Sequence, residues 1–403
     1  MNLLFLTLVE INSVEDRGIY QDLLRKFRNE GHHITIVTPV ERRKKIATNF
    51  SKKDGVSILQ VKTFNIQKTN IIEKGIGTLA IEYQYLSAIK KYASDKKFDL
   101  VLYSTPPITF AKVIEFVKKR DLARSYLLLK DIFPQNAVDM NMLKRDSFLH
   151  KQFIKKEKKL YKISDTIGCM SPANVGFVLK HNSEINNSKI EVNPNTIEPK
   201  NFNYSEDEKT AIRKKYEIPR DKKVLVYGGN LGKPQGLDFL LETIQATKFE
   251  NVFFLIVGSG TEFSRINEWF ANTEPYNAKL LQKLPKEDYD QLLAACDVGL
   301  IFLDKNFTIP NFPSRLLSYL EMKMPVIAAT DTNTDIGDII ENANCGYKVI
   351  AGKQEEMQEK IELILSADLQ LLGENGVKLL MNQYTVDKSY DLIMEKIKLL
   401  TNH

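Results

Sequence analysis

The sequence predicts an α/β protein built from two doubly wound parallel-sheet domains. Three observations predict it. A chain of 403 residues exceeds what one compact core holds, so two domains are expected. Short apolar runs alternate with amphipathic helical patterns in both halves, the βαβ order of a parallel sheet. A polar, charged segment over 198–222, with Pro199 and Pro219, lies between the halves and reads as a linker. The expected division is 1–200 and 201–384, with a last helix from about 385 to 403 packing back on the first domain.

In the first half, residues 3–9 read as a buried strand and 18–27 as a helix ended by Gly31. Strands follow at 34–37, 99–103 and 125–129, with a helix over about 108–119 before the last of these. Residues 168–174 and 192–196 read as the closing strand turns. Ligands on such sheets sit at the carboxyl ends of the strands. Gly18, the loop 104–107 and the loop 130–136 all fall at that edge. Gly18 either lets a ligand approach the backbone or makes a plain turn. Asp131 is either a cleft carboxylate or a turn residue.

The second half repeats the architecture, so both halves are Rossmann-like. Strands are expected at 223–228, 253–258, 280–284, 297–303 and 325–329, with a helix at 237–247. Gly258 ends the second of these strands in a glycine turn and is a candidate ligand contact.

Composition excludes several classes. No apolar run approaches membrane-span length, and residues 1–9 lack the basic start and cleavage site of a signal peptide. Three widely spaced cysteines, Cys169, Cys296 and Cys345, give no zinc or redox pattern and fit a reducing cytoplasm. The net charge of +6 hides an asymmetry. Residues 1–200 carry 34 Lys and Arg against 21 Asp and Glu, a net +13, whereas the remainder is −7. A basic half favours anionic partners, either lipid surfaces or pyrophosphate lipids. Nucleic acid is disfavoured because no recognition motif accompanies the charge. The basic stretch 144–162, with Phe148, Phe153, Ile154 and Leu160, either lies on a membrane or packs those apolar residues inward.

Two stretches carry chemistry. Gly228-Gly-Asn-Leu-Gly-Lys-Pro-Gln-Gly236 places four glycines and Lys233 before a helix, a natural phosphate cradle. Residues 308–330 read as loop, helix and strand. Pro313 stops the loop, Ser314 can cap the helix, and Leu316, Leu317, Leu320 and Met324 form its buried face. Ser314, Ser318 and Glu321 form a polar stripe, and Arg315 stands beside the first helical amides. Both stretches follow strands of one sheet, so they can converge on one diphosphate.

Metal chemistry is not expected. Asp288 and Asp290 are two apart, but they fall in the first turn of a predicted helix, where such side chains diverge. The five histidines make no ligand spacing. A leaving diphosphate would then be stabilised by Lys, Arg and helix amides.

These residues resemble retaining glycosyltransferases of family 4 with the GT-B fold, in which two Rossmann-like domains face each other across a cleft. Gly18-Ile-Tyr-Gln-Asp-Leu-Leu, Asp131-Ile-Phe-Pro-Gln-Asn, the 228–236 loop and Pro313-Ser-Arg-Leu-Leu-Ser-Tyr are most similar to the branch making bacterial capsules and O-antigens. That branch includes N-acetylfucosaminyl transferases. The resemblance implies a nucleotide-sugar donor, usually UDP-linked, in the C-terminal domain. It implies an acceptor, often a sugar on a polyprenyl diphosphate, in the N-terminal domain, and a peripheral position on the cytoplasmic face of the membrane. It departs at four places. The family's two glutamates, eight apart, fall at Pro310 and Ser318, and its loop Arg and Lys fall at Asn230 and Gln235. Lys233 and Arg315 are expected to supply the charge, with Gly229, Asn230, Gln235 and Ser314 at the donor. Glu321 with Ser318 is expected at the ribose, Leu284 at the base, and Asn311 and Phe312 at the donor sugar. Asp131 is expected at the acceptor or at the donor sugar. Two other readings share these features: a nucleotide-sugar epimerase of the same fold, and a non-catalytic accessory subunit.

Overall fold

The computed structural model describes residues 1–66 and 71–401. The chain divides into unit 1, residues 1–198 and 386–403, and unit 2, residues 199–385.

Unit 1 runs β1 (Asn2–Leu6), α1 (Ile19–Asn29), β2 (His33–Glu41), β3 (Asn49–Lys53), β4 (Val56–Thr63), α2 (Ile71–Tyr92), β5 (Leu100–Ser104), α3 (Ala111–Asp121), β6 (Arg124–Leu129), α4 (Gln135–Asp139), α5 (Phe148–Ile163), β7 (Thr166–Cys169), α6 (Pro172–His181) and β8 (Ile190–Val192). The strands form one sheet in the order β3-β4-β2-β1-β5-β6-β7-β8. Every pairing is parallel except β3 with β4. That edge hairpin is missing from the sequence reading. β3 is Asn-Phe-Ser-Lys-Lys and mostly exposed, so it carries the polar marks of a protected edge rather than an apolar run. The interior strands β1 and β5 are buried almost throughout and read clearly.

Unit 2 begins with a helix inside the segment expected to be a plain linker. This is α7 (Glu206–Lys215), opened by a capping box between Ser205 and Glu208. The Ser-x-x-Glu spacing that signals it is present in the sequence. There follow β9 (Lys223–Asn230), α8 (Leu237–Ala246), β10 (Val252–Ser259), α9 (Phe263–Thr273), β11 (Ala278–Gln282), α10 (Lys286–Ala294), β12 (Val298–Phe302), α11 (Arg315–Glu321), β13 (Val326–Thr330), α12 (Ile336–Asn342), β14 (Gly346–Ile350), α13 (Gln354–Ser366) and α14 (Leu369–Gln383). The chain then returns to unit 1 with α15 (Val386–Thr401), whose Tyr390 packs edge-on against Phe27 of α1 at 4.8 Å.

The six strands of unit 2 are all parallel, in the order β11-β10-β9-β12-β13-β14. The chain builds outward from β9 to β11, then crosses to β12 on the other side of β9. The winding direction therefore reverses between β9 and β12, and loops leaving their carboxyl ends diverge to open a crevice there. Leu225, Tyr227, Leu300, Phe302 and Ile327 lie in the core beneath it.

Gly258 belongs to this framework rather than to a ligand contact. It pairs with Gly229 across β9 and β10, and a Cβ on it would stand 2.1 Å from the Gly229 carbonyl oxygen. Two backbones leave no room for a methyl group. Gly258→Ala should lower stability by about 1–3 kcal/mol, the usual range for overpacking; an unchanged urea midpoint would contradict this packing.

Candidate functional site

The crevice at the β9–β12 crossover holds a cavity of about 400 Å³. Its lining comes from the end of β9 (Gly228, Gly229, Asn230), the following turn (Gln235), the start of α10 (Lys286, Tyr289), Leu303 after β12, and residues 311–315 with Ser318. It contains two cations and no carboxylate. A cavity of this size suits a small polar ligand.

Arg315 is its electrostatic centre. The guanidinium carbon lies 4.3 Å from the centroid of the Tyr227 ring, a cation–π contact. Nη2 donates to Gln235 Oε1. Nη1 is buried and has no hydrogen-bond partner. No carboxylate among the described residues pairs with this guanidinium. A buried donor without a partner is uncommon in native structures and calls for a specific explanation.

Glycines and tyrosines fix this geometry together. The Tyr319 hydroxyl accepts from the Gly228 amide at 3.2 Å and lies 3.2 Å from the carbonyls of Val226 and Leu300. Its ring occupies the place where Gly299 lacks a side chain; a Cβ there would be 2.4 Å from the ring. The Tyr289 hydroxyl stands where a Cβ of Gly228 would be, 1.7 Å away. Gly229 has φ of 125°, a backbone region that favours glycine. Burial pushes the Tyr319 phenol up to about 12, with the Arg315 charge opposing, so Tyr319 is a neutral hydrogen-bonding post.

Eight of the residues proposed from sequence come together here: Gly229, Asn230, Gln235, Asn311, Phe312, Ser314, Arg315 and Ser318. The others lie elsewhere. Lys233 is exposed in the single 3₁₀ turn of residues 233–235 and does not line the cavity. A three-residue turn rotates each side chain by about 120°, so facing Gln235 inward turns Lys233 out. Glu321 is buried, and its carboxylate accepts from the Lys200 amide at 2.7 Å. It anchors the start of unit 2 rather than facing the cavity. Leu284 is half-buried beyond the end of β11, which stops at Gln282, and does not line the cavity. Ser314 precedes α11 without capping it by its side chain. The amides of Leu316 and Leu317 are already taken by the carbonyls of Pro313 and Ser314. The sequence reading missed Lys286, Tyr289 and Tyr319. Gly-Tyr complementarity is invisible along the chain, and Lys286 was masked by the acids that follow it.

Gly18 and Asp131 belong to unit 1. Gly18 has extended backbone and opens α1, its amide donating to Asp22 Oδ1 at 3.2 Å. Asp131 follows β6; its Oδ2 accepts from Asn136 Nδ2 at 2.6 Å, while Asn136 Oδ1 is buried without a partner. Burial pushes the Asp131 carboxyl up to about 6, against a hydrogen bond from the Ile132 amide. Glu157 on α5 is pushed up to about 7 by burial, with the Tyr161 hydroxyl opposing. Among the described residues, no group of three or more His, Cys, Asp or Glu is placed to hold a metal ion, and no helix is long and apolar enough to cross a membrane.

Comparison with known proteins agrees with this architecture. Residues 208–378 match the family Glycosyl transferases group 1. The matched residues lie within unit 2. Among relatives, the chain is 22% identical over 320 residues to the probable glycosyltransferase WbjE of Pseudomonas aeruginosa, covering 79% of this chain and 78% of that one. It is 26% identical over 152 residues, 37% of each chain, to the putative colanic acid biosynthesis glycosyl transferase WcaI of Escherichia coli. Among solved structures, it superposes on sucrose-phosphate synthase of Thermosynechococcus elongatus with a TM-score of 0.75 at 14% identity over 100% of both chains. It superposes on Anabaena Alr3699/HepE in complex with UDP with a TM-score of 0.70 at 14% identity, over 99% of this chain and 100% of that one. The fold is GT-B, and the chain is a glycosyltransferase whose crevice lies within the matched residues.

The raised carboxyl of Asp131 has a measurable consequence. The folded protein holds its proton up to about pH 6, whereas an unfolded chain releases it near 3.8. The folded state therefore binds more protons between those values, and stability falls as pH rises through that window. Asp131→Asn keeps the acceptor for Asn136 and removes the titration. It should gain about 1–2 kcal/mol at pH 7 relative to pH 4, after discounting the rise from 3.8 to about 6 for partial solvation. Glu157 contributes a slope of the same sign that remains in the variant. Parallel pH–stability curves for the two proteins would contradict the assignment.

Proposed function

We propose that the chain is a retaining glycosyltransferase that moves a sugar from a UDP-linked donor to a polyprenyl-diphosphate-linked sugar in bacterial surface polysaccharide synthesis. One observation carries the reading: Arg315 keeps a buried, unpartnered Nη1 in a cavity lined by no carboxylate. A guanidinium held this way is an incomplete ion pair, and a diphosphate completes it with charge-assisted hydrogen bonds. The UDP held by the Anabaena HepE structure supports the donor class. The colanic acid role in the name of WcaI supports surface polysaccharide synthesis. The resemblance to the capsule and O-antigen branch supports N-acetylfucosamine as the sugar.

In this reading the bond from the sugar C1 to the diphosphate oxygen breaks as the acceptor oxygen bonds C1 on the same face. The acceptor proton passes to the departing phosphate. Arg315 stabilises the negative charge growing on that phosphate. Being fixed by Tyr227 and Gln235, it needs little reorganisation as the charge develops. The cavity lining lacks the carboxylates that would hold a hard cation, so protein cations carry the role of a metal. Ser318 contacts the ribose, Asn311 and Phe312 face the donor sugar, and Asp131 contacts the acceptor in unit 1. The acceptor lipid brings the enzyme to the cytoplasmic face of the membrane. The exposed Met142, Phe148 and Leu149, set among Lys144, Arg145 and Lys151, support contact with an anionic surface there. Phe153 instead packs inward on Phe133, at 4.9 Å.

Arg315→Ala should cut turnover by about 10²–10³-fold, as for other lost leaving-group donors, and abolish the rise in melting temperature caused by UDP. Its melting temperature without ligand should stay level or rise, because an incompletely paired buried charge has been removed. Activity should survive EDTA. Candidate UDP-sugars with a synthetic polyprenyl-diphosphate sugar, read by mass spectrometry, provide the assay; undiminished transfer by the variant would reject the role.

A further inference from the structure

Lys286 is the second cation of the cavity, and its position is unfavourable for a structural lysine. It is the first residue of α10, at the positive end of the helix dipole, where a cation is disfavoured. Its ammonium pairs with Asp290 one turn on. That order, cation before acid along the helix, is the weaker arrangement of an i,i+4 pair. The two partners differ in access: the Lys286 side chain is 42% exposed and that of Asp290 is 8% exposed. Asp290 is not part of the cavity lining, whereas Lys286 is. Tyr289, wedged over Gly228, holds this turn of α10 at the rim. The lysine is thus fastened at its root while its tip lies between an acid behind it and the cavity in front.

We propose that Lys286 is a displaceable anion latch: it leaves Asp290 on donor binding and takes charge of the diphosphate opposite Arg315. The inference rests on the reading of the cavity as a diphosphate site and adds the residue that gates it. A long lysine side chain reorients readily, and its own end of the pair is 42% exposed. In the free protein Asp290 competes with the donor for the same ammonium. Asp290 is therefore a positioning residue that weakens binding, the opposite of what a stabilising ion pair does.

The test is calorimetric titration of the full chain with UDP, inorganic pyrophosphate and uridine. Lys286→Gln should weaken UDP and pyrophosphate by about tenfold, one lost charge-assisted contact, and leave uridine unchanged. Lys286→Arg should recover most of the loss. Asp290→Asn should tighten UDP and pyrophosphate by about two- to fivefold. Equal affinities for wild type and Lys286→Gln, or an equal loss for uridine and UDP, would overturn the latch. Weaker diphosphate binding by Asp290→Asn in a folded protein would also overturn it. If wild type binds neither UDP nor pyrophosphate, the donor-site reading itself fails. If Arg315→Ala loses UDP while Lys286→Gln does not, only the latch fails.

Discussion

The site depends on a guanidinium that the fold buries without a counter-ion. Placing a charge in a partly dry interior is costly unless something compensates. Here the compensation is deliberately partial. The Tyr227 ring supplies an electron-rich face at 4.3 Å and Gln235 supplies one acceptor. Neither carries a formal charge, so the net positive charge of Arg315 remains where Nη1 lies. An aspartate in place of Gln235 would satisfy the protein and cancel that potential. The neutral partners keep the arginine oriented while leaving its charge for a ligand.

This arrangement is possible only where the sheet reverses its winding. β9 and β12 are neighbours whose following segments leave in opposite directions. α11 can therefore drop Arg315 over the end of β9 from a loop that starts at the end of β12. The approach is close because three backbone positions carry no side chain. Gly228 gives way to Tyr289, Gly299 to Tyr319, and Gly229 adopts a positive φ beside the guanidinium. The two tyrosines are held in turn by what the glycines expose: the Tyr319 hydroxyl reaches the Gly228 amide and lies beside two strand carbonyls. Small and large residues thus interlock across elements distant in sequence and close the floor of the crevice.

The fold class was legible because parallel strands buried on both faces are apolar runs that need no partner to be recognised. β1, β5, β6, β9 and β10 all read this way. β3 did not, because an edge strand is selected to look polar, and α7 was passed over because its charged surface resembles a linker. In the site, Arg315, Gln235 and Ser318 were within reach of sequence reasoning, since a loop and a helix following strands of one sheet must share an edge. Lys233 and Glu321 show its limit. Spacing alone puts both on plausible faces, but the rotation of about 120° per residue in a 3₁₀ turn separates inward from outward at Lys233, and Glu321 finds a backbone amide at Lys200 instead of facing the cavity. Tyr289 and Tyr319 act through missing Cβ atoms, which no single-residue signal records.

The charge distribution sharpens the argument about the cavity. Residues 201–403 carry a net −7, so long-range steering from this half would disfavour an anionic donor. Screening over about 8 Å at physiological ionic strength limits that penalty on the exposed surface. Inside the crevice the balance is reversed, because its lining holds Arg315 and Lys286 and no acid. Affinity for an anion must then come from a few desolvated contacts rather than from the general field, and a site of that kind selects by geometry. A ligand that engages both cations at once needs more than one charged group, as in the proposed diphosphate and unlike a single carboxylate.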